Sequence, residues 1–456
     1  AIDPARAPVG SLAYIRPTLA ADFALPLQTI ESGLLALQSE GYAMVMNGGD
    51  RAEDKTWCER RLLARIHRYS RERRRQRARP VSPAAYMRFL FQWHGLDQPA
   101  AELEQALGLL EGWSAPVACW EQALLATRCA EYAPQRLDEQ ILSGLITWFR
   151  PDLPGRGLQQ VIAATPITFV PRRHAALWRH AGRTPNQAPA AAEPGASARV
   201  VLRALQEHGA MFSTDLEQRS GLLQAQLEQA VAELVAHGLV TADAFSPLRW
   251  LIRPVAEKRR HEKRSRGRHG SRPNGLLGRW SLTSPLVETS ECDLFPGQAA
   301  MAVICAALLR RYGVVFRAVL ERESLLPPWR HLLRYLRRME DRGEVHGGRF
   351  VEGFSGEQFA LPEAVGLLRN VANEPLRCEQ RVISATDPLN LGGIITPGVK
   401  TPATLGNRIL LLDGIAAAHL RGNELEILGP PGTVDHSEAE RRLQVVRAIG
   451  YRGANR

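Results

Sequence analysis

One short pattern recurs along the chain and constrains its fold more than any other feature. An amphipathic helix ends at a glycine, and a β-branched or apolar run follows at once. The four copies span residues 34–45, 138–149, 230–242 and 335–347, with the glycines Gly41, Gly144, Gly238 and Gly343. A glycine at this position takes the left-handed conformation that closes a helix, so each copy predicts a helix followed directly by a strand.

The copy that ends at Gly343 also shows what precedes the glycine. "MAVICAALLRRYG" predicts a first helix, "VVFRAVLERES" a second, and "PPWRHLLRYLRRMEDRG" a third with prolines at its first turn. "EVHGGRFVEGFSGEQFAL" then alternates and turns like a two-stranded ribbon. This order is that of a winged helix, and residues 197–251 repeat it. An array of α/β units is the alternative, since it also contains helices that end at glycine before a strand.

The predicted fold class is therefore mainly α with small β hairpins (α+β), built from tandem winged-helix modules and a small C-terminal β-rich unit. Ala/Pro-rich and basic stretches mark the boundaries between modules. The predicted parts are a winged-helix-like module with a basic helix (1–75), helical or winged-helix-like modules (76–183), a linker (184–198), a winged helix (199–256), a basic loop (257–275), a second winged helix (276–374), a β-rich unit (375–430) and a polar tail (431–456).

Arginine is concentrated in one segment, which carries ten arginines between Arg60 and Arg79. The net charge of +11 favours anionic partners, among which nucleic acid is the commonest. A helix begun after Asp54 would place Trp57, Leu62, Leu63 and Ile66 on one side and arginines on the other. A solvated surface and salt bridges between domains are the alternatives, and codon bias accounts for part of the excess of arginine over lysine.

Ten arginines are the predicted DNA contacts, because the guanidinium fork suits phosphate oxygens. They are Arg60, Arg61, Arg65 and Arg68 of the basic helix, Arg259, Arg260 and Arg264 of the basic loop, and Arg330, Arg334 and Arg337 of the helix before the ribbon. The leucines of "WRHLLRYLRRM" leave open that this last helix is a packing helix.

Cysteines and hydropathy indicate the cellular setting. The six cysteines form no CxxC pair, which favours buried free thiols in a reducing cytoplasm over a zinc site or a disulfide framework. No apolar run of about 18 residues predicts a membrane span, and the N-terminus has no signal pattern. We expect a cytoplasmic, nucleoid-associated protein that contacts no membrane and binds no metal.

Several long blocks resemble the C-terminal region of the large helicase-related (Lhr) family. They include "WCERRLLARIHRYSRERRRQRARPVSPAAYMRFLFQWH", "GRWSL", "LLRRYGVVFRAVLERE" and "ATDPLNLGGIITPG". The resemblance implies a superfamily 2, 3′-to-5′ DNA repair helicase, whose C-terminal winged-helix modules are implicated in oligomerisation. The implied partners are DNA, single-stranded or duplex with a single-stranded tail, further copies of the chain, and the N-terminal helicase motor.

The chain departs from the family at the motor, since it contains neither G-x-x-x-x-G-K-[ST] nor a DExH box. We therefore expect a fragment that needs no cofactor, while ATP and Mg²⁺ serve the motor of the parent protein. A purely structural oligomerisation scaffold is one alternative function, and a stand-alone transcription regulator is another.

The winged-helix array of this family also resembles the AlkZ-type DNA glycosylases, which makes a metal-independent uracil-DNA glycosylase a further alternative. Base removal needs a carboxylate or amide to stabilise the cationic sugar, and hydrogen bonds to the flipped base. Asp387 is the candidate carboxylate and Asn390 the candidate base contact, whereas an Asx turn would give Asp387 a backbone-capping role only. "QAQ" at 224–226 and the acids Asp435, Glu438 and Glu440 are weaker candidates.

Overall fold

Four three-stranded antiparallel sheets have the same strand order, with the last strand of each lying between the first two. The computed structural model describes residues 14–15, 21, 24–47, 56–77, 79–99, 102–151, 160–181, 193–260, 275–283, 297–429 and 434–452. In each sheet the last two strands form the wing, and a helix precedes the wing. This repeated topology confirms the predicted α+β class with tandem winged-helix modules.

We name the modules A to D and number their elements along the chain. Module A contains β1 (Tyr14–Ile15), α1 (Leu27–Ser39), β2 (Ala43–Asn47), β3 (Thr56–Glu59) and α2 (Arg60–Arg77). Module B contains α3 (Pro83–Trp93), α4 (Leu103–Leu109), β4 (Ala115–Pro116), α5 (Val117–Cys119), a π-helix (Trp120–Leu125), α6 (Pro134–Leu142), β5 (Ile146–Phe149), β6 (Pro166–Pro171), a 3-10 turn (Arg172–His174) and α7 (Ala175–Ala181).

Modules C and D follow the same plan. Module C contains α8 (Ala196–His208), β7 (Met211–Phe212), α9 (Ser213–Ser220), α10 (Gln224–Ala236), β8 (Val240–Ala242), α11 (Ser246–Leu251) and β9 (Arg279–Leu282). Module D contains α12 (Gln298–Tyr312), β10 (Val314–Val315), a 3-10 helix (Ala318–Arg322), α13 (Trp329–Asp341), β11 (His346–Gly348), β12 (Gln358–Ala360) and α14 (Pro362–Asn373). Residues 1–79, which hold module A, form one compact unit, and residues 80–456 form another.

The glycine that ends the helix before each wing has the predicted left-handed backbone. The φ angles of Gly41, Gly144, Gly238 and Gly343 are 78°, 77°, 71° and 78°. In module D the amide of Glu344 donates to the carbonyl of Met339 at 2.9 Å, and modules A and C have the equivalent bond. This bond is the six-residue closure of a Schellman motif, which turns the chain directly into the first wing strand.

The wing of module C differs from the sequence prediction. The sequence suggests a hairpin that ends before residue 251 and a new module from residue 276, but β8 pairs with β9, far along the chain. Trp280 of β9 is fully buried, and the Asp243 carboxylate accepts from the amide of Arg279 at 2.7 Å. Module C therefore carries a long insertion, which includes α11, between the two strands of its wing.

The start of the basic helix in module A also differs from the sequence prediction. A helix from Asp54 onward would include Trp57, but Trp57 and Cys58 lie in β3, and α2 begins at Arg60. Trp57 pairs with both Tyr14 and Val45 across the sheet and is only 3% exposed. The large apolar side chain is buried better in the central strand than on a surface helix.

Modules B and C share one continuous hydrophobic core. The ring of Trp148 in β5 lies 6.5 Å from that of Trp280 and 6.4 Å from that of Phe245, both in module C. Arg249 of α11 reaches back to module B, where it donates to Glu121 at 2.8 Å and to Asp138 at 2.6 Å. Apolar burial and a doubly paired guanidinium thus hold the two modules together.

The C-terminal unit is a four-stranded antiparallel sheet with a helix packed on it. Its strands are β13 (Gln380–Ser384), β14 (Arg408–Leu412), β15 (Ile415–Arg421) and β16 (Glu424–Ile427), in that order, and α15 spans His436–Arg452. The sequence predicts a polar tail after residue 430, but Ala439 and Leu443 are buried in the core of this unit. Two well-placed apolar side chains suffice to dock an otherwise polar helix.

The cysteines match the prediction of buried thiols at Cys58, Cys119, Cys129 and Cys305, while Cys378 is exposed. Cys292 lies outside the described residues. Within the described residues no helix combines the length and the apolarity needed to cross a lipid bilayer.

Candidate nucleic-acid interface

Helix α13 of module D has one apolar and one cationic face. Leu332, Tyr335, Leu336 and Met339 are buried against the module. Arg330, Arg334 and Arg337 are exposed and recur at i, i+4 and i+7, and Arg338 lies at the edge of the same face. Prolines precede the helix, and its first turn contains no acidic residue. The predicted arginines therefore lie together on one surface, as a phosphate-binding helix requires.

The wing supplies a carboxylate to this surface. Oε2 of Glu357, directly before β12, accepts a hydrogen bond from Nε of Arg337 at 2.7 Å and lies 2.6 Å from Nη2. The side chain of Arg337 is 57% exposed and that of Glu357 is 26% exposed. Sequence reasoning missed both Glu357 and Arg338, since only the register of the wing shows which acid reaches the helix.

The corresponding helices of modules A, B and C offer no comparable surface in the part of the chain that the structure describes. In α6 the acids Asp138 and Glu139 outnumber the one basic residue, Arg136, and Asp138 accepts from the amides of Phe245 and Ser246 of module C at 2.6 and 2.9 Å. Most of α10 is buried and it has no arginine or lysine. Helix α1 also lacks basic residues and exposes leucines instead.

Helix α2 of module A forms a second cationic surface. Arg60, Arg61, Arg65 and Arg68 are exposed, whereas Leu62, Leu63 and Ile66 are half-buried. The predicted division into a packing side and an arginine side is therefore present, although the helix starts later than expected.

The basic loop is described only in part. Arg259 and Arg260 are exposed within helical residues 255–260, and Arg264 lies outside the described residues. The neighbouring Lys258 pairs with Glu228 of α10 at 3.6 Å, which fixes the start of this segment on module C.

The candidate catalytic carboxylate is buried in an ion pair. Asp387 is 1% exposed, and its Oδ1 and Oδ2 accept from Nη2 and Nη1 of Arg128 at 2.9 and 2.8 Å. Oδ1 also accepts from the amide of Leu389 at 2.9 Å, which is the Asx-turn contact considered as the alternative role. These contacts join the C-terminal unit to module B.

Asn390 is likewise buried, at 1% exposure. Its side-chain nitrogen Nδ2 donates to the carbonyl oxygens of Ala385 and Thr401 at 2.8 and 3.0 Å, and these two bonds stabilise the loop between β13 and β14. The weaker candidates make local contacts: Gln226 accepts from the amide of Leu223, and Asp435 accepts from that of Glu438.

The ion pair continues into a buried polar network. Nε of Arg128 donates to Nδ1 of His94 at 3.0 Å, and Nε2 of His94 lies 2.7 Å from the carbonyl oxygen of Arg311. His94 is thus a neutral imidazole with its proton on Nε2. Burial lowers the pKa of His94 well below its usual value, and the charges of Arg128 and Arg311 lower it further. The buried Arg311 pairs with Glu323 of module D.

Two parts of the chain, within modules B and D, match known protein-family models. Residues 81–172 and 296–380 each match a winged-helix domain of the large helicase-related protein. They correspond to the core of module B and to module D. This chain is a winged-helix region of the large helicase-related family. Arg128 and His94 lie in the first match and Arg311 lies in the second, so the buried polar network connects the two matched domains.

Curated relatives in this family are similar over most of the chain. The Lhr helicase/uracil glycosylase of Escherichia coli (strain K12) is 27% identical over 431 residues, which is 85% of this chain and 26% of that protein. The Lhr helicase/probable uracil glycosylase of Mycolicibacterium smegmatis is 29% identical over 366 residues, 73% of this chain and 22% of that protein. The chain spans about a quarter of the length of these relatives.

Among solved structures, the Streptomyces sahachiroi DNA glycosylase AlkZ superposes with a TM-score of 0.44 at 13% sequence identity. The superposition covers 82% of this chain and 97% of that one.

Proposed function

We propose that this large helicase-related region binds DNA through the arginine face of α13, with α2 of module A as a second contact. The observation that carries the proposal is the exposed cationic face of α13, on a helix that precedes a wing, while the equivalent helices α1, α6 and α10 carry at most one basic residue each. The side chains of this face are guanidinium groups, which pair with phosphate oxygens through two parallel hydrogen bonds. We therefore expect binding that depends on salt more than on base sequence.

The test compares arginines on different faces of the same protein. The variant with Arg330, Arg334 and Arg338 replaced by alanine is titrated against a fluorescent oligonucleotide over a range of salt concentrations. Each lost phosphate contact lowers the slope of log K against log salt by about 0.9 on duplex DNA and about 0.7 on a single strand.

Arg369→Ala, on the exposed surface of α14, is the matched control and keeps wild-type binding. Equal affinity and equal salt slopes for the triple variant, the control and the wild type would contradict the assignment of α13.

We place this DNA-binding region beside a helicase motor of the same polypeptide, with single-stranded DNA or a tailed duplex as its partner. The support is the name of both relatives, which are helicases more than three times as long as this chain. ATP and Mg²⁺ belong to that motor, so DNA binding by this chain is independent of both. ATP-dependent binding by the isolated chain would contradict this placement.

We also propose self-association, supported by the exposed leucines of α1. Leu27, Leu35 and Leu37 are 54%, 54% and 44% exposed, and burial of this apolar surface between copies would be favourable. Light scattering that reports a multimer supports the proposal, and a multimer without DNA binding would favour the purely structural scaffold.

Uracil-DNA glycosylase activity is the second candidate, supported by the names of the same two relatives. The assay incubates the chain with labelled single-stranded DNA that carries one uracil, followed by alkali. Uracil-dependent breakage without ATP or metal supports the activity, and a mobility shift without breakage leaves DNA binding alone.

A further inference from the structure

The wing of module D is fixed in place beside α13. The buried side chain of Gln358 accepts from the amides of Phe350 and Val351 and donates back to the carbonyl of Val351, each at 2.8 Å. Val81 bonds to the other side of this loop, through the carbonyl of Phe350 at 2.8 Å and the amide of Glu352 at 3.0 Å. The loop that carries Glu357 is therefore held by bonds from both sides, and its carboxylate stays near α13.

Glu357 neutralises one edge of the arginine face, at Arg337. Successive residues of a helix are rotated by about 100°, so Arg337 lies within about 20° of Arg330 in projection, on the side away from Arg334. Glu357 contacts Arg337 through both Nε and Nη2, the same fork that would hold a phosphate. A phosphate at this position has to displace the carboxylate and is also repelled by it.

We infer that Glu357 is an intramolecular competitor for phosphate at Arg337, so that the wing of module D weakens DNA binding by its own α13. This inference rests on the proposed DNA binding of α13. The neutral amide of a Glu357→Gln variant still accepts a hydrogen bond but no longer matches the charge of a phosphate. The exposed pair itself contributes little to stability, so the variant keeps the fold.

The experiment measures fluorescence anisotropy of a labelled 20-nucleotide duplex for the wild type, Glu357→Gln, Glu363→Gln, Arg337→Ala and the double variant Arg337→Ala/Glu357→Gln. Glu363 is exposed on α14 of the same module, so its variant makes the same change in charge away from α13. We expect Glu357→Gln to bind about two- to five-fold more tightly at low salt, with a salt slope larger by about 0.9. The double variant loses this gain.

The other outcomes overturn the inference. Equal tightening by Glu357→Gln and Glu363→Gln would show a general effect of net charge. A gain that persists without Arg337 would show that the carboxylate acts elsewhere, and weaker binding by Glu357→Gln would show that the pair positions Arg337 for DNA. Absence of binding by the wild type at low salt would remove the proposed function itself, and with it the competition.

Discussion

Replacing Asp387 by alanine distinguishes a structural ion pair from a catalytic carboxylate. The side chains of Arg128 and Asp387 are 0% and 2% exposed, so the variant leaves a buried guanidinium without its counter-charge. Loss of one partner of a buried pair costs about 3–5 kcal/mol. The carbonyl of Leu124 and Nδ1 of His94 still accept from Arg128, which places the expected cost near the lower end, at about 3 kcal/mol.

The assay is urea unfolding of Asp387→Ala beside Asp215→Ala, an exposed acid of α9, and beside the double variant Asp387→Ala/Arg128→Met. The double variant removes both charges, and we expect it to recover most of the lost stability because an apolar side chain then fills the buried site.

The same proteins are incubated with uracil-containing DNA. An Asp387→Ala variant as stable as Asp215→Ala that nevertheless loses uracil-dependent cleavage would refute the structural reasoning and make Asp387 catalytic.

Two further predictions concern the junction around module D. The pKa of His94 in the folded state lies below its value of about 6.5 in the unfolded chain. Below pH 6.5 the unfolded chain therefore binds a proton at His94 that the folded chain does not. The free energy of unfolding is not reduced by this group above pH 6.5 and falls by about 1.4 kcal/mol per pH unit below it. His94→Gln, which can accept from Arg128 as the imidazole does, should remove this contribution in urea melts between pH 5 and 7, and equal slopes for both proteins would contradict it. Gly313→Ala would place a Cβ 2.6 Å from Phe89 at a φ of 63°, and we expect a loss of about 2–4 kcal/mol in denaturant unfolding. Gly343→Ala, with a φ of 78° and open space, should cost only about 1–2 kcal/mol, and an equal loss for both variants would show that contact with Phe89 is unimportant.

Local sequence patterns predicted the modules because the junction between helix and wing has a short and recognisable sequence. Gly343 and its three equivalents follow an amphipathic helix, have a left-handed backbone and precede the first wing strand in every copy. The arginine face of α13 was also readable, since spacing along one helix determines which side chains share a face.

Pairings between distant residues could not be read in the same way. Asp387 and Arg128 are 259 positions apart, and neither has a neighbour in sequence that indicates the other. The strand β9 joins a wing whose other strand ends at Ala242, across an insertion that separates the two strands widely in sequence. Trp57 shows the remaining difficulty, because one apolar residue at the edge of a helical pattern fits a strand equally well.

The aromatic residues Trp148, Phe245 and Trp280 lie in a single core although a connection with little sequence pattern separates modules B and C. Cleavage between residues 182 and 192 would therefore not release two independently folded domains, because separating the two modules would expose the aromatic side chains of their shared core to water. Modules B and C should unfold together as one cooperative block. A substitution in the wing of one then changes the packing constraints on the other.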